Sequence, residues 1–196
     1  MEDQTKIFLA SGNPDKVKEL KHMLEPLGCK LVSALDYSGI DAVEEDQPTL
    51  EGNALKKARF WRQKTGLPTL ADDTGLEVDA LGGEPGVLSA RYAGESATYQ
   101  DNVTRLLKNM EDKSDRKARF RTVIALAGEE ETLFEGVCEG EIIRNPRGAG
   151  GFGYDPVFLP RGYNETFSEM SCAEKNTISH RGKALARVVE FLRIKL

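Results

Sequence analysis

The sequence predicts an α/β protein with a mixed β-sheet flanked by helices. Three observations carry that expectation. Apolar strand-like runs alternate with helix-period segments from Lys6 to Met110. Two long β-rich runs, Ala118 to Ala127 and Thr132 to Ile143, then follow each other as a hairpin around Gly128. A last helix-period run closes the chain. Alternation favours helices layered on a sheet, and a hairpin adds antiparallel pairing to it.

Each element has a local reason. Lys6 to Ala10 is an apolar strand. Asn13 is a good N-cap and Pro14 suits the first helical position, which needs no N–H. Val17, Leu20, Leu24 and Leu27 recur at helical spacing until Gly28. Lys30 to Leu35 reads as a second strand, and Asp41 to Pro48 as an acidic loop. Thr49 caps a helix from about Leu50 to Thr65, stopped by Gly66 and Pro68. Thr69-Leu70-Ala71 reads as a short buried strand that ends in carboxylates. Leu76 to Leu81 has no decided type, and Leu81 to Gly94 is a glycine-rich loop. Thr98 to Met110 is a helix with Val103, Leu106 and Leu107 inside. After the hairpin, Asn145 to Gly151 is a Pro/Gly loop and Tyr154 to Leu159 a strand. Ser171 and Glu174 match a capping box, and Ser179 caps a final helix running to Leu196.

Composition narrows the function classes. A chain of 196 residues, 39% apolar and 30% charged, suits one domain over residues 1–196. A formal net charge of −5 lacks the basic footprint of a general nucleic-acid binder. Cys29, Cys138 and Cys172 make neither a C-x-x-C pair nor an even set, against a disulfide scaffold or zinc site. The start has no basic and apolar leader pattern, and no apolar run nears the roughly 20 residues of a membrane span. A cytoplasmic protein without membrane or nucleic-acid polymer partners is expected.

Candidate chemistry sits in four strings. Ser11-Gly12-Asn13-Pro14-Asp15-Lys16 joins a strand to a helix N-terminus and offers hydroxyl, amide, backbone N–H and ammonium donors to one anion. The helix start and Lys16 make phosphate the natural guest, while the segment alone also reads as an ordinary capped helix with a solvated lysine. Glu44, Glu45 and Asp46 lie in the acidic loop, and Asp72-Asp73-Thr74-Gly75 follows the short strand. Mg2+ takes one or two carboxylates plus substrate phosphate and water, and a carboxylate can also deprotonate an attacking water. The same string is also what a polar turn looks like. Neighbouring strand residues face opposite sides, so Asp72 and Asp73 should do different jobs. Gly148-Ala149-Gly150-Gly151-Phe152-Gly153 fits G-x-G-x-x-G but precedes Tyr154-Asp155-Pro156 rather than a helix, so it is a loop for a flat ligand, not a dinucleotide fingerprint. Lys175, His180 and Arg181 add donors for an electron-rich base or a phosphate. His22 falls on the charged face of the first helix and is expected to be solvated.

Together these strings resemble the inosine triphosphate pyrophosphatase family. The matching pieces are Ala10-Ser11-Gly12-Asn13 with Lys16 and Glu19; Gly52-Asn53-Ala54 with Lys57-Ala58; and Ala71-Asp72-Asp73-Thr74-Gly75-Leu76. They continue with Ser89-Ala90-Arg91-Tyr92, Gly150-Gly151-Phe152-Gly153-Tyr154-Asp155-Pro156 and Ser179-His180-Arg181-Gly182, in the family's order over almost the whole chain. Thr74 stands where the family often has serine, and keeps the hydroxyl.

The resemblance implies an elongated mixed sheet in two lobes around a central cleft, and a homodimer. It implies hydrolysis of ITP, dITP and XTP to the monophosphate and pyrophosphate. Ser11, Gly12, Asn13, Pro14, Asp15 and Lys16 would cradle the triphosphate. Glu44 and Asp73 would hold Mg2+, with Asp73 also taking the proton of the attacking water. Thr74 would touch substrate, and Phe152, Gly153, Tyr154, Asp155, Lys175, His180 and Arg181 would form the base and sugar pocket. Donors at that pocket would favour a 6-oxo purine over adenine, which presents an amino group there.

Overall fold

The computed structural model describes residues 5–37 and 43–195. The expected acidic loop therefore begins outside the described residues at 41–42, and Leu196 lies outside them too. The strands are β1 (Lys6–Leu9), β2 (Lys30–Ser33), β3 (Thr69–Val78), β4 (Pro85–Gly86), β5 (Lys117–Ala127), β6 (Glu131–Ile142) and β7 (Phe158–Pro160). The helices are α1 (Pro14–Leu24), α2 (Leu50–Thr65), α3 (Tyr99–Asn109), α4 (Cys172–Ile178) and α5 (His180–Lys195). Hydrogen-bonded strands follow the order β2-β1-β3-β5-β6-β7, with β4 on β3. β1 runs parallel to β2 and β3, while β4 is antiparallel to β3 and β7 to β6. The sheet is mixed, as expected. Among the described residues, no helix is long and apolar enough to cross a membrane.

The chain forms two compact units. The first takes residues within 1–73, 122–135 and 184–196; the second takes 74–121 and 136–183. The first unit buries Ile7, Leu9, Leu20, Leu24, Leu70, Ile124 and Phe134 with Ala184, Leu185, Val188 and Leu192 of α5. The second buries Leu76, Val78, Val103, Leu106, Met110, Phe120, Phe158 and Phe167. Each core is large enough to hold polar side chains in fixed positions against it.

Differences from the sequence expectation have physical causes, some tertiary and some local. β3 does not stop before the carboxylates: Asp72, Asp73, Thr74 and Gly75 all lie within it. In the first unit its start pairs with β1, Phe8 opposite Thr69 and Leu9 opposite Leu70. In the second unit its end pairs with β4, Leu76 opposite Gly86. Gly75 permits that approach, since a Cβ there would sit 2.8 Å from the Gly86 carbonyl oxygen. Leu76 to Leu81 thus divides into the end of β3 and a 3₁₀ turn, Asp79–Leu81. β2 stops at Ser33 because the Asp36 carboxylate accepts from both the Ser33 N–H (2.9 Å) and hydroxyl (3.0 Å), closing a turn. The strand expected from Tyr154 starts only at Phe158, after a 3₁₀ turn at Asp155–Val157. Caps at Asn13, Thr49, Thr98 and Ser171 all accept backbone N–H groups as their side chains allow. Gly66 ends α2 at φ 70°, a left-handed position glycine tolerates without cost. His22 is exposed.

Candidate active site

In the first unit, the polar group is built on α1, α2 and β3. Asn13 accepts from the N–H groups of Asp15 (2.9 Å) and Lys16 (3.3 Å), and the Asn13 N–H donates to the Ser11 hydroxyl (3.3 Å). This fixes the loop and the first turn of α1. Ser11 is buried, while Gly12, Pro14 and Asp15 are exposed. The turn carries Lys16 to Asp72, with Nζ 3.0 Å from Oδ2 and Asp72 almost fully buried. Asp73, the next residue, has different partners: Asn53 Nδ2 donates to its Oδ2 (3.1 Å), and Lys57 Nζ lies 3.4 Å from its Oδ1. Lys57 also donates to the Asp72 carbonyl (2.7 Å) and pairs closely with Glu45. Alternation along β3 separates the two carboxylates' partners.

Sequence reasoning passed over Lys57 and Asn53 as site residues. The signal was present in the register of α2: its buried residues are Leu50, Asn53, Ala54, Lys57, Ala58 and Trp61. An amide and an ammonium four residues apart on an inward stripe must have polar partners, because burying them unpaired is costly. Glu44 is exposed, and the carboxylate that reaches Lys57 belongs to its neighbour Glu45.

Electrostatics divide the carboxylates. Burial raises the Asp73 carboxyl above the ordinary range, and Glu45 adds to this; Lys57, Lys16 and the Asn53 bond offset only part. Burial also pushes Glu45 up, but Lys57 outweighs it and leaves that carboxyl below its ordinary value. Burial works against the Lys57 ammonium, yet Asp73, Glu45 and Asp72 together hold it above its ordinary value. Glu45 is the committed anion and Asp73 is the carboxylate readier to take a proton.

In the second unit the polar group has another character. Asp155 is 3% exposed, and its Oδ2 accepts from Lys175 Nζ (2.7 Å) and the Phe152 N–H (2.9 Å). The Lys175 ammonium also lies over the rings of Phe152 (4.9 Å) and Phe167 (5.6 Å). The Arg181 guanidinium lies 5.6 Å over the Phe152 ring, and its Nη2 donates to the Thr74 hydroxyl (3.3 Å). His180 stacks on Phe120 at 4.5 Å, 15° from parallel. The Tyr154 hydroxyl donates to the Ser89 carbonyl (2.9 Å), and burial raises its pKa. Gly153 takes φ 62°, a left-handed turn between the two aromatic residues. Ser179 accepts the Gly182 N–H (3.0 Å), and Gly182 packs so tightly on the Asn176 carbonyl that no Cβ fits. An open pocket in this unit is lined by Tyr99, Gln100, Val103 and the 148–153 loop, and meets the charged group at Phe152 and Gly153.

The described residues contain no group of three or more His, Cys, Asp or Glu gathered for a metal ion. Glu45 and Asp73 offer two hard oxygen donors, the number Mg2+ takes when phosphate and water complete its shell.

Residues 7–191 match the model of the Ham1 family. A dITP/XTP pyrophosphatase of Chlorobaculum tepidum is 50% identical, covering 95% of this chain and 93% of its own. One from Flavobacterium psychrophilum is 45% identical, covering 95% and 98%. The solved structure of a HAM1 protein from Coxiella burnetii superposes with a TM-score of 0.89 at 43% identity, covering 97% of this chain and 99% of that one.

Proposed function

Because this chain belongs to the Ham1 family, we propose that it hydrolyses dITP, ITP and XTP to the nucleoside monophosphate and pyrophosphate, using Mg2+. The observation that carries the reading is the first unit's cluster, in which Lys16 pairs with Asp72, Lys57 pairs with Glu45 and Asp73, and Lys57 also bonds the Asp72 carbonyl. A solvated surface has no use for so many buried charges, whose desolvation must be offset by partners or ligand. A triphosphate and a divalent cation supply such charges.

In this reading the α1 N-terminus and the Lys16 ammonium bind the phosphate chain. Glu45 and Asp73 would hold Mg2+; Glu45 takes the place first expected of Glu44, since it is the carboxylate beside Lys57. When bound, Mg2+ supplies Lewis-acid stabilisation of phosphate charge. Asp73 accepts the proton as water oxygen bonds to the α-phosphorus and the bond to the α–β bridging oxygen breaks. The leaving pyrophosphate takes that bond's electron pair. A carboxyl raised by burial suits proton uptake near neutral pH better than an ordinary one. Lys57 keeps both carboxylates in register and stays charged.

The second unit reads the base. Phe152 offers its ring as a stacking surface, with Lys175 and Arg181 already over it. Lys175, His180 and Arg181 supply the donors for a 6-oxo group, and Thr74 and Asp155 hold two of them in place. Gly153 and Tyr154 shape the loop. On family grounds we also assign a homodimer in the cytoplasm, which light scattering and cell fractionation test.

The deciding assay is product analysis with ITP, XTP and GTP. Pyrophosphate should form from ITP and XTP with Mg2+, far more slowly from GTP, and not with chelator. Release of orthophosphate, or turnover unaffected by chelator, would refute the reading.

A further inference from the structure

We infer that Gly52 and Asn53 are positioning residues that set Glu45 against Asp73 and so govern affinity for the divalent ion; this rests on Glu45 and Asp73 being its ligands. Asn53 is fully buried in α2. Its carboxamide spans two chain segments. Oδ1 accepts the Gln47 N–H (2.9 Å), two residues after Glu45, and Nδ2 donates to Asp73 Oδ2 (3.1 Å). The two bonds agree on one orientation. A flipped amide would set oxygen against the Asp73 carboxylate and NH₂ against the Gln47 N–H. Aspartate would keep the acceptor and lose the donor, and leucine would lose both.

Gly52 acts by what it lacks. A Cβ there would sit 2.8 Å from Gln47 Cβ, 3.2 Å from its Cγ and 3.3 Å from the Thr49 hydroxyl. Its absence lets the loop lie against the first turn of α2, where Asn53 can reach the Gln47 backbone. Glycine and asparagine are both poor helix formers, so the stability of α2 does not explain them. Asn53 also leaves the two Asp73 oxygens with separate neighbours, Oδ2 facing the amide and Oδ1 facing Lys57. Partners of this kind, which orient ligating carboxylates, control metal affinity without touching the ion.

The test compares Asn53→Leu, Gly52→Ala and, as a control on the same helix, Arg59→Ala, whose pair with Glu131 is exposed. Calorimetry with Mn2+ and the Mg2+ concentration for half-maximal pyrophosphate release from ITP are read in parallel. Both are independent of the fraction of active protein, so simple loss of fold does not move them. Asn53→Leu should weaken both by about 10- to 100-fold, with Arg59→Ala unchanged. Gly52→Ala should weaken metal binding while raising helix propensity, the opposite of what a purely structural role predicts. A folded Asn53→Leu or Gly52→Ala that binds Mn2+ within about twofold of the parent would overturn the proposal. If the parent itself neither binds Mn2+ nor needs Mg2+, the ligand assignment fails instead, and the proposal with it.

Discussion

The two units hold their buried cations in contrasting ways. In the first, Lys16 and Lys57 face three carboxylates, Asp72 paired with Lys16 and both Glu45 and Asp73 paired with Lys57. In the second, Lys175 has one carboxylate and two aromatic faces, and Arg181 has an aromatic face and a hydroxyl. Both units bury lysine, yet the first sets its lysines against several carboxylates, whereas the second also sets its cations over flat apolar rings. Under the proposed function, the difference separates two tasks. A site for a polyanion and a metal needs charge that can be redistributed among many oxygens. A site for a neutral heterocycle needs a ring to stack on and donors at its edge.

The comparison breaks most visibly at Asp73. Asp73→Asn should lower turnover by about 10²- to 10⁴-fold, the usual worth of a positioned proton acceptor, with the fold retained. Single-turnover pyrophosphate release measures it, and near-parent turnover would remove Asp73 from that role.

Lys57→Met and Lys175→Met probe the two kinds of balance directly. Removing one partner of a buried pair leaves an uncompensated charge, at a cost of about 3–5 kcal/mol in urea unfolding. Lys57→Met should show the full cost, because Glu45 and Asp73 are both left facing each other. Lys175→Met should cost less, since Asp155 keeps its bond from the Phe152 N–H. Their kinetics should diverge more sharply. Lys57→Met should slow every substrate alike, whereas Lys175→Met should narrow the preference for ITP over ATP. Equal loss on both nucleotides in Lys175→Met would dissolve the proposed division of labour.

The smallest effect concerns pH and separates two carboxylates of the same unit. In metal-free protein, the raised Asp73 carboxyl contributes stability below its ordinary pKa that is lost as pH rises through the raised value. The lowered Glu45 carboxyl does the reverse: its contribution is present above its ordinary pKa and lost as pH falls through the lowered value. Asp73→Asn should therefore raise Tm at neutral pH relative to the parent, with the gain vanishing in acid. Glu45→Gln should lower Tm at neutral pH, with the loss vanishing in acid. Parallel pH profiles for the two variants would contradict the opposite shifts.

Much of this was legible in the chain. The caps at Asn13, Thr49, Thr98 and Ser171 follow from local chemistry, as do the helical periodicities they precede. The hairpin of β5 and β6 followed from two β-rich runs around a glycine. The Asp72–Asp73 pair was visible, and its division of partners followed from strand alternation. The length of β3 was not, because Asp-Asp-Thr-Gly has turn composition and only pairing at both ends holds it extended. Lys57 appeared only within a matching string, without a role, since helix periodicity identifies an inward position but not what waits there. Glu44 and Glu45 are adjacent and chemically equivalent, so one residue of loop register decides between them.

By itself, then, the amino-acid order determined which segments become strands and helices and which family they compose, because caps, periodicity and motif strings act within a few residues of one another. Tertiary structure alone decided which charges meet: Lys16 with Asp72, Lys57 with Glu45 and Asp73, Lys175 with Asp155 and Phe152. Those pairings depend on where the packed core carries each backbone, and an ion pair a few ångströms long is settled by that placement rather than by any local preference.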